Sequence, residues 1–261
     1  MNYNYHTHTF RCSHANGTPE EYIQRAIENG IKYMGFSEHF PYICRDGYEA
    51  KYRIPLAQVK EYFEELYNLR EKYAGKIDLK IGFEIEYYPD LFEVMYKNAI
   101  SYGAEYLILG QHFIQEEHPG GIYTMNPSES EEDFNKYVDA VIEGIKSGVF
   151  TYIAHPDLFN FVGDEVVYYR EMKRICTASL EYNVPLEINF LGIRTNRNYP
   201  NKAFLAIAGE VGCPVTFGFD AHDTLSAFDA DSLKVAKTLV DDYKLNYIGK
   251  PKLILLNEGK Q

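Results

Sequence analysis

Short apolar runs alternate along the chain with longer segments in which apolar residues recur at helical spacing. Runs rich in β-branched and aromatic residues, bounded by polar residues, Gly or Pro, are typical of strands. The predicted strands are residues 2–5, 33–37, 77–85, 106–110, 150–154, 185–190 and 214–219. The predicted helices include residues 19–29, 56–73, 131–146, 167–182 and 202–211. This alternation predicts a parallel α/β sheet.

Histidines follow the predicted strands with unusual regularity. Seven of the eight lie where an apolar run ends or just beyond it: His6, His8, His14, His39, His112, His155 and His222. In a parallel barrel, the loops that follow the strands share one face. We therefore expect these side chains to converge at the C-terminal ends of the strands and to form a metal site.

Two short motifs carry the strongest local signal. In His6-Thr7-His8 the two imidazoles point the same way if the chain is extended, because alternate residues of a strand share a face. Asp220-Ala221-His222 has the same spacing, and both carboxylate and imidazole are ligands for first-row metals. Either motif alone is compatible with ordinary polar surface, but their repetition after several strands favours a metal site.

The segment 80–86 is apolar apart from its first residue and two carboxylates, Glu84 and Glu86. A buried, unpaired carboxylate is costly, and coordination to a metal would remove that cost. Because the two residues alternate onto the same side, spacing does not decide which of them is the ligand. Glu187 and Asn189 share a side in the same way, with either an outer-shell role or ordinary structural hydrogen bonding. His118 lies in a polar loop and is not an expected ligand.

Composition restricts the class of protein. With 261 residues and no linker, the chain is expected to form a single domain over residues 1–261. A formal charge of -12 disfavours nonspecific binding to nucleic acid or to an anionic membrane. Neither a basic, apolar leader nor an apolar run long enough to cross a bilayer is evident, so a cytoplasmic protein is expected.

The four cysteines are Cys12, Cys44, Cys176 and Cys213, and they form no C-x-x-C pair. This spacing argues against a cysteine zinc cluster and favours reduced thiols. Cys12 alone lies in the histidine-rich opening segment, where it could approach the metals.

The chain resembles the PHP (polymerase and histidinol phosphatase) family, specifically its histidinol-phosphatase branch. The resemblance extends over nearly the whole chain and follows an ordered set of motifs. These are His6-Thr7-His8 with His14, Gly35-Phe36-Ser37-Glu38-His39-Phe40, Gly82-Phe83-Glu84, Leu109-Gly110-Gln111-His112-Phe113, Ala154-His155-Pro156-Asp157-Leu158, Leu186-Glu187-Ile188-Asn189 and Gly218-Phe219-Asp220-Ala221-His222.

The resemblance implies a distorted TIM-like (β/α)7 barrel that carries up to three divalent metal ions at the C-terminal ends of its strands. It assigns His6, His8, Glu84 and Asp220 to the first ion. It makes Glu84 a bridge to a second ion, held with His112 and His155, and it assigns His14, His39 and His222 to a third. Mixed imidazole and carboxylate ligands suit zinc, manganese or iron, alone or mixed, better than magnesium or calcium.

The implied reaction is hydrolysis of L-histidinol phosphate to L-histidinol and inorganic phosphate, in histidine biosynthesis. We expect a metal-bound hydroxide to attack phosphorus, and the general acid stays unassigned. One alternative is a PHP phosphoesterase acting on another small phosphate ester, a sugar phosphate or a nucleotide. An alternative of another class is a noncatalytic metal-binding interaction module. The oligomeric state is not predicted.

The same resemblance suggests residues that bind the phosphate ester. Arg194 occupies the position of an arginine associated with phosphate recognition, and Arg197 is the nearby alternative. Arg194 is the preferred candidate, since a guanidinium can hold two phosphate oxygens. Segments 40–55 and 115–130 are either candidate lids or solvated connections. Gln111 departs from the family pattern beside His112, and this departure bears on substrate identity more than on metal binding.

Overall fold

The computed structural model describes residues 1–42 and 46–256, in which strands alternate with helices. The strands are β1 (Tyr3–Asn4), β2 (Tyr33–His39), β3 (Asp78–Ile85), β4 (Tyr106–Leu109), β5 (Leu186–Asn189), β6 (Pro214–Gly218) and β7 (Asn246–Tyr247). The helices are α1 (Pro19–Glu28), α2 (Val59–Lys72), α3 (Phe92–Tyr102), α4 (Glu131–Ser147), α5 (Glu165–Tyr182), α6 (Phe190–Thr195), α7 (Lys202–Val211) and α8 (Ala230–Tyr243).

The strands are all parallel and form two sheets, β1-β2-β3-β4 and β5-β6-β7. Ile153 joins the sheets, because it pairs with Leu109 at the end of β4 and with Leu186 in β5. Thr7, just after β1, pairs with Ala221, just after β6, and so connects the first sheet to the second on its other side. The curled sheet is a distorted TIM-like barrel, and the predicted fold class is confirmed.

Most predicted strands lie within two residues of the observed ones, but residues 150–154 form no regular strand. Only Ile153 makes bridge pairs, supported by a hydrogen bond from the Thr151 amide to the Leu107 carbonyl. The helices α3, α6 and α8 were not among the predicted helices, and β7 was not predicted. The edge strand β7 spans two residues, too few to show a periodic pattern.

Local sequence signals explain where the well-predicted helices begin and end. Thr18 caps α1 through a capping box with Glu21, and Pro19 opens the helix. Ser130 caps the start of α4, and Gly148 ends it in a left-handed conformation, which glycine adopts without steric cost.

Tyrosines fill the barrel interior beneath the C-terminal ends of the strands. Tyr3, Tyr5, Tyr106 and Tyr152 pack with Ile108 and Ala154 as a cluster separate from the larger core between strands and helices. The Tyr106 hydroxyl donates to the Tyr5 carbonyl over 2.8 Å, and the Tyr3 hydroxyl lies 3.0 Å from that of Thr216. These bonds offset much of the cost of burying hydroxyl groups.

Within residues 1–42 and 46–256, no helix combines the length and the apolar character that crossing a membrane requires.

Replacing Gly35 by alanine tests the packing of the interior tyrosines. A Cβ atom at Gly35 would overlap the hydroxyl and ring of Tyr106. We expect Gly35→Ala to lower the free energy of unfolding by about 1–3 kcal/mol through overpacking, measured by urea denaturation with circular dichroism. Tyr106→Phe removes the overlapping hydroxyl, so the double variant should lose less than the sum of the single losses. Additive losses would contradict the close contact.

Candidate metal centre

All nine predicted metal ligands lie together at the C-terminal ends of the strands. His6 and His8 are fully buried beneath a cavity of about 700 Å³. The other seven line that cavity: His14, His39, Glu84, His112, His155, Asp220 and His222. Nine side chains that are spread between positions 6 and 222 of the sequence therefore lie around one cavity, as expected for the C-terminal face of a parallel barrel.

Four atoms form the most compact part of this cluster. His6 Nε2 lies 3.5 Å from both Glu84 Oε2 and Asp220 Oδ1, and His8 Nε2 lies 3.4 Å from the same two oxygens. All four atoms are buried and have no hydrogen-bond partner among the described residues. A tetrahedral ion with bonds of about 2.0–2.1 Å separates its ligands by about 3.4 Å. The spacing and the free lone pairs therefore fit a metal ion.

Two of the nine predicted ligands have an uncommon backbone conformation. Asp220 and His155 have φ angles of 47° and 29°, in the left-handed region that few residues other than glycine occupy. Such conformations concentrate at functional sites, where the surrounding contacts hold them in place. Gly110 leaves space for a ligand, since a Cβ atom there would overlap the carboxylate of Glu84.

Glu84 faces ligands through both of its oxygens. Its Oε1, the oxygen outside the four-atom cluster, lies 2.9 Å from His155 Nε2 and 3.6 Å from His112 Nε2. The neighbouring carboxylate of Glu86 instead contacts Arg53 at 2.6 Å and His112 Nδ1 at 2.9 Å. The geometry thus favours Glu84 as the central ligand and Glu86 as a group that orients a ligand.

His14, His39 and His222 bring their ligand atoms within 4.8 Å of one another. Burial and the adjacent His222 lower the pKa of His14 to about 4, and burial and the nearby His8 lower the pKa of His222. Both rings are therefore neutral near pH 7, the form that binds a metal. His39 Nδ1 also lies 3.2 Å from Glu84 Oε2, so this group adjoins the four-atom cluster.

Three buried carboxylates outside the predicted ligand set approach the second ring nitrogen of a histidine. Glu187 lies 2.7 Å from His6 Nδ1, and Glu38 lies 3.4 Å from His8 Nδ1 and also accepts from the Thr9 amide at 2.8 Å. Glu86 acts in the same way on His112. A carboxylate at this position fixes the tautomer and the orientation of an imidazole ligand.

Asn189 and Gly218 complete the surroundings of Glu187. Asn189 Nδ2 donates to Glu187 at 2.7 Å and to Asp220 Oδ2 at 3.0 Å, so it links an orienting carboxylate to a candidate ligand. A Cβ atom at Gly218 would overlap the Glu187 carboxylate, so a side chain at this position would displace that group.

Electrostatics in the centre favour a positive ion. Burial alone would lower the pKa of His6, but Glu187, Asp220 and Glu84 raise it well above its ordinary value. Burial also lowers the pKa of His8, but the adjacent carboxylates of Asp220, Glu38 and Glu84 raise it to about 9. The surrounding carboxylates thus stabilise positive charge at the centre, and divalent ions would supply it without protonating the rings.

The two arginines predicted to bind phosphate have different environments. Arg194 donates through Nη1 to the Phe219 carbonyl at 2.6 Å and through Nη2 to the Asp220 carbonyl at 2.5 Å. Arg197 is exposed, lines the cavity and donates to the Tyr199 hydroxyl at 2.9 Å. The geometry therefore favours Arg197 over Arg194 as a phosphate ligand, the reverse of the order expected from sequence.

His118 and the cysteines are not among the nine predicted ligands. His118 is exposed and contacts Asp46 at 2.8 Å, away from the candidate ligands. Cys12 is buried, with its sulfur within 4.8 Å of ligand atoms of His8 and His222. Cys176 and Cys213 are also buried and free, whereas Cys44 lies outside the described residues.

The Gln111 side chain turns to the backbone: its Oε1 accepts from the Tyr87 amide at 2.9 Å, and its Nε2 donates to the Phe113 carbonyl at 2.7 Å. Both ends of this amide are therefore occupied, and Gln111 is not among the residues that line the cavity.

Several residues that line the cavity carry only a weak sequence signal: Tyr52, Arg53, Glu117, Tyr123 and Tyr199. The first four belong to the candidate lid segments 40–55 and 115–130, and Tyr199 lies two residues after Arg197. Segment 40–55 contributes Tyr52 and Arg53, although its residues 43–45 lie outside the described part of the chain.

The barrel and its side-chain cluster define the class, a (β/α)-barrel protein with a candidate centre for several metal ions. The PHP domain profile matches residues 4–190, and the chain belongs to this family. The predicted family is thereby confirmed.

Curated relatives match over most of their length. The chain is 28% identical over 237 residues to a Deinococcus radiodurans protein named "Probable histidinol-phosphatase", covering 83% of this chain and 85% of that protein. It is 23% identical over 252 residues to the histidinol-phosphatase of Bacillus subtilis, covering 83% and 92%.

Among solved structures, the chain is similar to the histidinol phosphate phosphatase of Lactococcus lactis subsp. lactis Il1403, with a TM-score of 0.70 and 20% identity. The similarity covers 94% of this chain and 95% of the other, which was crystallised with zinc, L-histidinol and phosphate.

Removing one imidazole tests the candidate centre. We expect His8→Ala to retain fewer metal ions per chain than the wild type, because it removes one of the four atoms that fit a tetrahedral ion. Inductively coupled plasma mass spectrometry after dialysis measures the number of metal ions per chain. His118→Ala is the matched control, since that imidazole lies outside the cluster. Equal metal content in all three proteins would exclude His8 as a ligand.

Proposed function

We propose that the protein is a metal-dependent histidinol-phosphatase that hydrolyses L-histidinol phosphate to L-histidinol and inorganic phosphate. The observation that carries the proposal is the cluster of four buried, unpartnered ligand atoms on His6, His8, Glu84 and Asp220 beneath an open cavity. Such a cluster suits phosphomonoester hydrolysis, in which cations activate water and neutralise charge on the phosphoryl oxygens.

The relatives support the choice of substrate. The Bacillus subtilis protein is a histidinol-phosphatase, and the Lactococcus lactis structure holds zinc, L-histidinol and phosphate together. Both resemble this chain over more than four fifths of its length. By this analogy the enzyme acts in histidine biosynthesis. The cytoplasmic location expected from the sequence stays a prediction.

The proposed ligand set keeps the arrangement implied by the family. His6, His8, Glu84 and Asp220 would hold the first ion, and Glu84 with His112 and His155 would hold the second. His14, His39 and His222 would hold a third. Zinc, manganese and iron all suit these nitrogen and oxygen donors, and we propose up to three ions drawn from them.

The cavity is lined by two chemically different sets of side chains, which suit the two ends of a small phosphate ester. One set consists of histidines and carboxylates, where the phosphoryl group would bind beside the metal ions. The other includes the aromatic and thioether groups of Phe113, Tyr123 and Met125, against which an imidazole ring would pack. A volume of about 700 Å³ is ample for one small ester.

Arg197 is the proposed phosphate ligand within this arrangement. Its hydrogen bonds within residues 1–42 and 46–256 go to the Tyr199 hydroxyl and the Met125 sulfur, both uncharged groups, so the positive charge of its guanidinium is available to an anion. Tyr199 accepts one of its hydrogen bonds and orients the side chain towards the cavity. A guanidinium held in this way can contact two phosphate oxygens.

Turnover of a substrate panel tests the proposed function. The protein is loaded separately with manganese, zinc or iron, and phosphate release is measured from L-histidinol phosphate, sugar phosphates and nucleotides. We expect the largest kcat/KM for L-histidinol phosphate and a large loss of activity in His8→Ala. Activity only on other esters would favour a different PHP phosphoesterase. Binding without turnover by fully loaded protein would favour a noncatalytic module.

Substitution of the two arginines separates their roles. We expect Arg197→Ala to lower kcat/KM by about 100-fold or more with unchanged metal content, since a charge-assisted contact to phosphate is lost. Arg194→Ala should instead weaken metal retention, because Arg194 holds the carbonyl of the candidate ligand Asp220. Arg170→Ala on α5 is the control for loss of an exposed arginine. A fall in kcat/KM at unchanged metal content in Arg194→Ala, with normal kcat/KM in Arg197→Ala, would instead identify Arg194 as the phosphate ligand.

A further inference from the structure

Arg53 is a buried cation at the edge of the candidate centre. It lies in the segment between β2 and α2 and is only 4% exposed. Burial of a guanidinium is costly unless charged and polar partners surround it. An arginine at such a position must therefore be matched by specific acceptors.

Three acceptors from three parts of the chain surround the Arg53 guanidinium. Nη2 donates to Glu86 Oε1 at 2.6 Å, just beyond the end of β3. Nε donates to Glu117 Oε2 at 2.6 Å, in the loop after β4. Nη1 donates to the Phe40 carbonyl at 3.3 Å, just beyond β2. One planar group thus joins the segments that follow three adjacent strands, β2, β3 and β4.

Two of these contacts, those with Glu86 and Phe40, adjoin a candidate metal ligand. Glu86 Oε1 also accepts from His112 Nδ1 at 2.9 Å, so a single oxygen connects Arg53 to that imidazole. Phe40 follows His39 directly, and its amide donates to the Glu84 carbonyl at 2.9 Å. The Ile54 amide, next to Arg53, donates to the His39 carbonyl at 3.3 Å.

We propose that Arg53 is a positioning residue that sets the metal affinity of the His112 side of the centre. It holds the Glu86 carboxylate in place, and Glu86 in turn fixes the tautomer and the ring orientation of His112. Groups that orient an imidazole ligand in this way commonly change metal affinity by about 10- to 100-fold when they are lost.

The shape of the guanidinium matters as much as its charge. The three donors used by Arg53 point in fixed directions within one plane, each at a different acceptor. A lysine ammonium at the end of a flexible chain would neutralise one carboxylate, but it would not hold all three acceptors at once. Arg53→Lys therefore preserves the charge and removes the geometry.

This inference rests on the metal centre of the proposed function but not on its substrate. Zinc binding is therefore measured by competition with a chromogenic chelator, and no phosphate ester is present. Failure of the histidinol phosphate assignment would leave this measurement unaffected. Arg70→Gln is the matched control, because Arg70 on α2 forms an ion pair with Glu105 at 2.9 Å and contacts no candidate ligand.

We expect Arg53→Gln to bind one zinc equivalent at least 10-fold more weakly than the wild type. Arg53→Lys should show a similar loss of affinity with a smaller fall in thermal midpoint. It also keeps the test valid if Arg53→Gln fails to fold. Arg70→Gln should lose thermal stability without losing zinc.

Two results would overturn the proposal. The first is wild-type zinc stoichiometry and affinity in folded Arg53→Lys, which would show that the three-way geometry is not required. The second is an equal loss of zinc in Arg70→Gln, which would assign the effect to general destabilisation.

Discussion

The structure depends on placing the carboxylate of Glu84 inside the barrel, where it is almost fully shielded from water. An ionised carboxylate in such a position costs several kcal/mol unless opposite charge or specific hydrogen bonds compensate it. Both of its oxygens face imidazoles, and Gly110 leaves the space that the carboxylate fills. The parallel strands make this arrangement feasible, because most of them are followed by a polar side chain at the same end of the barrel.

Three further buried carboxylates lie behind the candidate ligands and orient their imidazole rings. Glu38, Glu86 and Glu187 each hold a histidine from a different part of the chain, and each is buried. Buried carboxylates therefore lie around the centre beyond the atoms that could touch a metal. Positive ions would stabilise the folded barrel as well as the reaction, since they bind a set of ligands that only the folded state assembles.

The spacing of apolar residues, two in strands and about 3.6 in helices, predicts much of this fold. It does not predict the role of a residue that is decided by contacts with distant parts of the chain. Glu84 and Glu86 share a side of one strand, so only their environment distinguishes them, and that environment includes Arg53. Arg194 and Arg197 are separated by the left-handed turn at Asn196 that ends α6, and this turn sends one inward to the backbone and the other to the cavity. Residues 150–154 have the composition of a strand, but regular pairing is limited to Ile153.

The pairing of Thr7 with Ala221 has a consequence for how the protein is made. The candidate ligands His6 and His8 are synthesised first, whereas Asp220 and His222 follow more than two hundred residues later. During translation, His6 and His8 therefore lack their Asp220 and His222 neighbours until β6 and the residues after it have left the ribosome. The four-atom cluster can assemble only at the end of synthesis, so a nascent or truncated chain lacks the complete centre.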